Sequence, residues 1–256
     1  MNKQEKDFCF CTLALGSSYR KMAKELASDL EKYSPGTFIY IYTDQPEEFR
    51  EQKNILAFKH YQKGIQRCSN DRRLVIEKVL SKFPIAIHID ADTKLLGNIP
   101  DNLEYSPGIT GCYENLIKHV SKYRPQSMGI IKNVASKLNI PLENANWIGE
   151  SLYIVARDGG REKEFLKMWG LIASYLELKG MHGGDGNVMG LAAAKVGWKI
   201  ERSDSWETVN KLREHLDASH QIKRTSWDNL KRRLGYHYRL NKARFTALKD
   251  FDFYYR

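Results

Sequence analysis

Ile85-Ala86-Ile87-His88-Ile89-Asp90-Ala91-Asp92 is a near-continuous apolar run that opens after Pro84 and closes on two carboxylates. Apolar residues at successive positions face both ways on an extended chain, so this segment reads as a central strand covered on both faces, as in a parallel sheet. Upstream, Ser69-Asn70-Asp71 opens a helix that runs through Phe83 with Leu74, Val75, Val79 and Leu80 on its apolar face. Further back, Phe8 to Leu15 reads as a strand. Ser17 to Tyr33 reads as a helix, with Met22, Leu26 and Leu30 at helical spacing and a stop at Ser34-Pro35-Gly36. Thr37 to Thr43 (TFIYIYT) is rich in β-branched and aromatic residues and ends at Asp44, and Asn54 to Lys59 supplies a third short strand. This alternation predicts an α/β, Rossmann-like domain with a central, mostly parallel sheet flanked by helices, whose ligands bind outside the carboxyl ends of the strands.

Downstream the pattern predicts strands at Gly108 to Tyr113 and Ser151 to Ala156, and helices at Gln126 to Leu138 and Asp158 to Leu178. Gly186 to Lys195 reads as a small-residue helix entered through a glycine-rich turn. The chain has 256 residues and a net charge of +10, with 42% hydrophobic and 28% charged residues, which excludes disordered and fibrous classes. Residues 221–256 hold ten Lys and Arg against three Asp, so seven of the ten surplus charges sit there and three in the first 220 residues. We therefore divide the chain into an α/β domain, 1–220, and a basic, aromatic C-terminal segment, 221–256.

No apolar run approaches the 18 or so residues of a membrane span. Phe8 to Leu15 follows Glu5 and Asp7 and lacks a small-x-small cleavage site, so it is expected to be a strand and not a secretory leader. Cys9, Cys11, Cys68 and Cys112 form no CxxC pair, which suits a reducing cytoplasm. Cys9 and Cys11 lie two apart, on one face of a strand, and are expected to be core thiols.

Where a strand ends the backbone turns, and the carboxylates of Asp90 and Asp92 can then approach one hard cation. Such a cation could bridge the phosphates of a nucleotide and take up the charge released when a diphosphate leaves. Arg72 to Leu80, then Pro84 to Asp92, then Thr93-Lys94-Leu95-Leu96-Gly97-Asn98-Ile99-Pro100, resembles the central block of nucleotide-sugar glycosyltransferases of the GT-A fold, most of all the glycogenin and bacterial galactosyltransferase type. In that family a helix carrying a basic residue precedes an apolar strand, the DxD motif, a short strand and a turn.

The resemblance implies transfer of a sugar from a nucleotide-diphosphate sugar, with a UDP-sugar as the expected donor, to a hydroxyl on a glycan or lipid-linked acceptor. It implies Mn²⁺ or Mg²⁺ on the diphosphate, with Asp92 as the more direct metal ligand, Asp90 on the ribose or the metal, and Arg73 facing the phosphates. Tyr42-Thr43-Asp44 resembles the family's nucleotide edge, which assigns Thr43 and Asp44 to the donor. The turn Gly180-Met181-His182-Gly183-Gly184-Asp185 resembles the second acidic motif, in which an Asp opens a small-residue helix; here Gly184 stands where the family usually has Glu. Asp185 is thus a candidate base or acceptor ligand, and Glu150 is a second candidate carboxylate at the cleft. The central block resembles retaining enzymes and Asp185 resembles the base of inverting ones, so stereochemistry stays open.

The family commonly takes a third metal ligand, often His, from the C-terminal part. His215, His220 and His237 are candidates, and His220 is preferred because Lys223 and Arg224 follow it and could meet the diphosphate. His88, inside the apolar strand, is expected to be a core residue, and His182 to face the acceptor. Of the five Trp, one or two are expected to stack on sugars.

A Mg²⁺-dependent phosphatase using Asp90 and Asp92 is the competing enzyme class, because haloacid-dehalogenase phosphatases also place DxD after a strand. Their signature continues DxDx[TV], whereas Lys94 stands two residues after Asp92. The interleaved cations and aromatics of 221–256 also suit an anionic membrane surface or a nucleic acid. No nucleic-acid-binding module is recognisable, and a solvated helical face is the simplest reading of the segment; the expectation is a cytoplasmic protein, with peripheral association at the inner face of the membrane as the alternative.

Overall fold

The computed structural model describes residues 6–101, 103–218 and 225–256. Four parallel strands form one half of the central sheet: β1 (Phe8–Ala14), β2 (Ile39–Thr43), β3 (Ile55–Lys59) and β4 (Ile85–Ile89). Two longer strands, numbered past the short β5 (Thr93–Leu95), complete it: β6 (Gly108–Asn115) and β7 (Asn146–Ala156). The order is β3-β2-β1-β4-β7-β6, and β7 runs antiparallel to both neighbours. The sheet is therefore mostly parallel and flanked by helices, as the alternation of periods predicts.

Alternation along β1 sorts the core into two clusters. Phe8, Phe10 and Ala14 pack with α1 (Ser17–Tyr33) and α7 (Asp204–Lys211), through Leu26, Leu30, Trp206 and Val209. Cys9 and Cys11 point the other way, into the larger cluster with α2 (Arg72–Leu80), α4 (Met128–Lys137), α5 (Arg161–Leu178) and α6 (Asp185–Lys195). Both thiols are fully buried, in keeping with their reading as core residues.

β1 lies between β2 and β4, and the chain runs outward from β1 through β2 and β3 before crossing back to β4. The strand order thus reverses between β1 and β4, and the crevice at the carboxyl ends of these two strands is where such sheets bind ligands.

Several boundaries differ from the sequence pattern. The segment expected as one helix from Gln126 begins at Met128, and an unexpected helix, α3 (Leu116–Tyr123), precedes it, capped by the Asn115 side chain. β7 starts at Asn146, not Ser151, because Asn146, Trp147 and Ile148 extend the ladder opposite Asn115, Glu114 and Tyr113 of β6. β5 pairs antiparallel with β8 (Arg213–His215), which brings a distant segment back beside the end of β4. Beyond the core lie α8 (Ser226–Ala247), closed at its N-terminus by a Thr225–Asp228 capping box, and α9 (Phe251–Tyr255). Among the described residues no helix is long and apolar enough to cross a membrane.

Candidate active site

The two acids sit at the switch point because β4 ends there. The Asp90 N–H donates to the Ser151 carbonyl at 3.0 Å, which ties the turn to β7. Asp92 is held from the other side: its carbonyl accepts from Leu216 N–H and its Oδ2 from Ala218 N–H, each at 2.9 Å. The β5–β8 pairing sets Thr93 opposite His215, and His215 Nδ1 lies 3.7 Å from Asp92 Oδ1. One ligand atom from each of Asp90, Asp92 and His215 falls within 4.8 Å of the others. Two carboxylates and an imidazole are a donor set that suits Mn²⁺ and accommodates Mg²⁺. His215 is one of the three histidines the sequence offers, but not the preferred one; His220 and Lys223 lie outside the described residues.

The cation that reaches these acids is Arg72, not Arg73. Arg72 Nη2 is 2.5 Å from Asp90 Oδ1 and Nη1 is 2.7 Å from Asp185 Oδ2, with a further bond to the Glu150 carbonyl at 3.3 Å. Successive helix residues point about 100° apart, so the next side chain faces elsewhere. Arg73 packs over Gly170 of α5, where an added Cβ would come within 2.9 Å of its Cζ. Burial alone would raise the Asp90 pKa, but Arg72, His88 and His215 hold it at about 2. Burial lowers the His88 pKa; its Nε2 is 3.4 Å from Asp90 Oδ1 and its ring stacks on Tyr153 at 4.7 Å.

Asp185 and Glu150 complete the cluster. Gly184 adopts φ +85°, a left-handed conformation that glycine takes at little cost, and the turn delivers Asp185 as the first residue of α6. α6 lies unusually close to β7. A Cβ on Gly186 would overlap the Ile148 carbonyl oxygen, and one on Gly190 the Asn146 carbonyl oxygen. This approach lets Gly186 N–H donate to Glu150 Oε1 at 3.0 Å. Burial, reinforced by the neighbouring charge of Asp185, pushes the Glu150 pKa well above the usual carboxylate range. Glu150 thus favours its protonated form, while Asp185 faces Arg72 across 2.7 Å.

At the end of β2, Thr43 is buried and its Oγ1 accepts from Gln45 N–H at 3.3 Å. Asp44 Oδ1 accepts from Gly16 N–H at 3.1 Å, and both oxygens accept from Arg20 Nη1 at 2.8 and 2.9 Å. Thr43 and Asp44 therefore lie on the carboxyl edge of the sheet, but Asp44 is committed to the β1–α1 turn. From that side Tyr19 comes within electrostatic range of Asp92 and Asp90: burial first, then Asp92, Cys68 and Asp90, raise its pKa.

Arg213, opposite Leu95 in the β5–β8 pair, bonds Ser151 Oγ at 3.1 Å and lies within range of Asp90. Neither Tyr19 nor Arg213 carries a sequence signal for the site. Trp169, Trp198 and Trp206 are core residues whose indoles donate to Asn70, Asp158 and the Leu152 carbonyl. Trp147 stacks on His119 at 4.2 Å with the rings 7° from parallel, and His182 meets Tyr236 of α8 edge-on at 5.9 Å.

Models of known protein families and curated protein sequences give no match to this chain.

Proposed function

We propose that the protein is a divalent-cation-dependent glycosyltransferase of the GT-A type, moving a sugar from a nucleotide-diphosphate sugar, with UDP-sugar the expected donor, to a hydroxyl on a glycan or lipid-linked acceptor. The observation that carries this reading is the convergence, at the β1–β4 switch point, of Asp90, Asp92 and His215 with a second acidic pair, Asp185 and Glu150, across one arginine. The order α2, β4, Asp90-Ala91-Asp92, β5 and turn also matches the order the family resemblance implies.

In this reading Asp90, Asp92 and His215 hold Mn²⁺ or Mg²⁺. When bound, the cation supplies positive charge to the diphosphate, stabilising it as a leaving group. Arg72 lies between the acidic groups and can turn its guanidinium from Asp90 to a phosphate oxygen, for which its planar fork is suited. Asp185, paired with Arg72, can accept the proton of an acceptor hydroxyl. Glu150, holding its proton, donates a hydrogen bond that orients Asp185. Whether Asp185 acts as base or only positions the acceptor decides between inverting and retaining chemistry, and product stereochemistry measured by NMR distinguishes them. A phosphatase of the haloacid-dehalogenase type would have Thr or Val two residues after Asp92, where Lys94 stands.

The direct test is thermal stabilisation by UDP with and without Mn²⁺. Ligand at 100 times its dissociation constant stabilises by roughly 2.7 kcal/mol, and that stabilisation should require the metal. Asp92→Asn, which keeps an acceptor for Ala218 N–H, should abolish the metal-dependent part while the fold persists, and His215→Ala should weaken it. If no nucleoside diphosphate shifts the melting temperature under any metal condition, the reading fails.

A further inference from the structure

α8 carries two unlike faces. Its inner face is fixed to the domain: Arg239 Nε donates to the Ile65 carbonyl at 3.1 Å, Tyr236 meets His182, and Ala247 is buried. On the opposite face Trp227, Leu230, Leu234, Tyr238 and Phe245 are between 45% and 73% exposed. Their spacings of three, four, four and seven residues, at 100° per residue, confine all five to one stripe less than a quarter of a turn wide. At 1.5 Å per residue the stripe is about 27 Å long. Lys231 and Lys242 line one side and Arg233 and Arg244 the other, all exposed. Asp228 is the single acid of the helix, against six Lys and Arg.

We infer that this face of α8 docks on an anionic membrane surface, lying in the interface with its apolar stripe among the acyl chains and its flanking cations on the headgroups. Charge and shape together select this occupant. A large apolar stripe on a solvent-facing helix marks an interaction surface, and rows of cations on both sides match a plane of negative charge. A second copy of the chain would bring the same cations together across the contact. A nucleic acid would use the cations but leave Trp227, Leu234 and Phe245 in water. The inference does not depend on the transferase reading. In this arrangement α8 lies between the membrane and the turn that delivers Asp185, which Tyr236 touches through His182.

The test is sedimentation of the full chain with phosphatidylcholine vesicles, with and without phosphatidylglycerol. Binding is expected only with the anionic lipid and should fall with added salt. Trp227→Ser/Leu234→Ser/Phe245→Ser alters exposed side chains only, and should keep the melting temperature while reducing the vesicle partition coefficient at least about tenfold. Lys231→Glu/Lys242→Glu should reduce it similarly in low salt. Failure to bind anionic vesicles, or equal binding to neutral ones, overturns the inference. A dimer in analytical ultracentrifugation that the apolar triple variant dissociates assigns the stripe to a second copy, and also overturns it. Binding of duplex DNA or RNA that survives the triple variant, with no vesicle binding, does the same.

Discussion

Arg72 and Asp90, eighteen positions apart, meet with 2.5 Å between Nη2 and Oδ1, and their side chains are only 15% and 16% exposed. The contact joins the first turn of α2 to the end of β4, and through its other nitrogen Arg72 joins both to α6. A guanidinium that neutralises two buried carboxylates at once fixes where three elements meet.

Removing Arg72 strands two charges. Breaking a buried ion pair by deleting one partner costs about 3–5 kcal/mol, because the other charge stays buried without compensation. Arg72→Ala should therefore lower unfolding stability by that amount in urea denaturation at neutral pH. Arg72→Lys restores the charge but cannot fork to Asp90 and Asp185 together, and should recover only part of the loss.

The Asp90 pKa gives stability a defined acid limb. Its folded-state value of about 2 lies below the ordinary 3.8, so the folded protein favours the ionised form. The contribution, roughly 2 kcal/mol for a shift of this size, is fully present above about pH 4 and is lost as pH falls toward 2. Stability measured by urea denaturation across this window should fall with that slope, and Asp90→Asn should flatten it.

The glycines of α6 allow a contrast that does not depend on function. Gly190 faces the Asn146 carbonyl so closely that a Cβ would overlap it, whereas Gly129 in α4 has open space at its Cβ position. Gly190→Ala should destabilise by about 2 kcal/mol or more, since overpacking outweighs the gain in helix propensity of roughly 1 kcal/mol. Gly129→Ala should stabilise by a few tenths to about 1 kcal/mol. Melting temperatures of the two variants should move in opposite directions.

The uneven legibility of the site follows from how each residue is positioned. Asp90, Asp92 and Asp185 terminate a strand or open a helix, and the hydrophobic period that defines the element also fixes the place of the acid. Local pattern therefore found them. Arg72 and Arg73 are adjacent in an otherwise clear helix, and choosing between them required the phase of α2 against the sheet, which its apolar residues do not fix to one position. His215 reaches Asp92 through the β5–β8 pairing, two three-residue strands far apart in sequence with no periodicity to read. Tyr19 and Arg213 arrive likewise through tertiary packing. The parallel half of the sheet was legible from its βαβ alternation. The antiparallel insertion of β7 beside β4 was not, because strand direction depends on connections and leaves no mark on the apolar pattern.

Glu150 offers the sharpest test of the carboxylate pair. Burial and the neighbouring Asp185 charge raise its folded pKa far above the ordinary carboxylate value of 4.5. A carboxyl whose pKa is raised on folding is stabilising while protonated in both states, and that advantage fades as pH climbs above 4.5, where the unfolded chain releases the proton and the folded one does not. Glu150→Gln places a permanently neutral amide in the same space: its oxygen can accept from Gly186 N–H and its NH₂ can donate toward Asp185, as the protonated acid does. The variant should thus match the parent near pH 4.5 and exceed it in stability at pH 8, by about 1 kcal/mol or more, in paired denaturant titrations. Glu150→Ala, which strands Gly186 N–H and opens a cavity, should be less stable than the parent at both pH values. A Gln variant that is destabilised at pH 8 would mean that Glu150 is ionised in the folded protein, and Arg72 would then be balancing three charges instead of two.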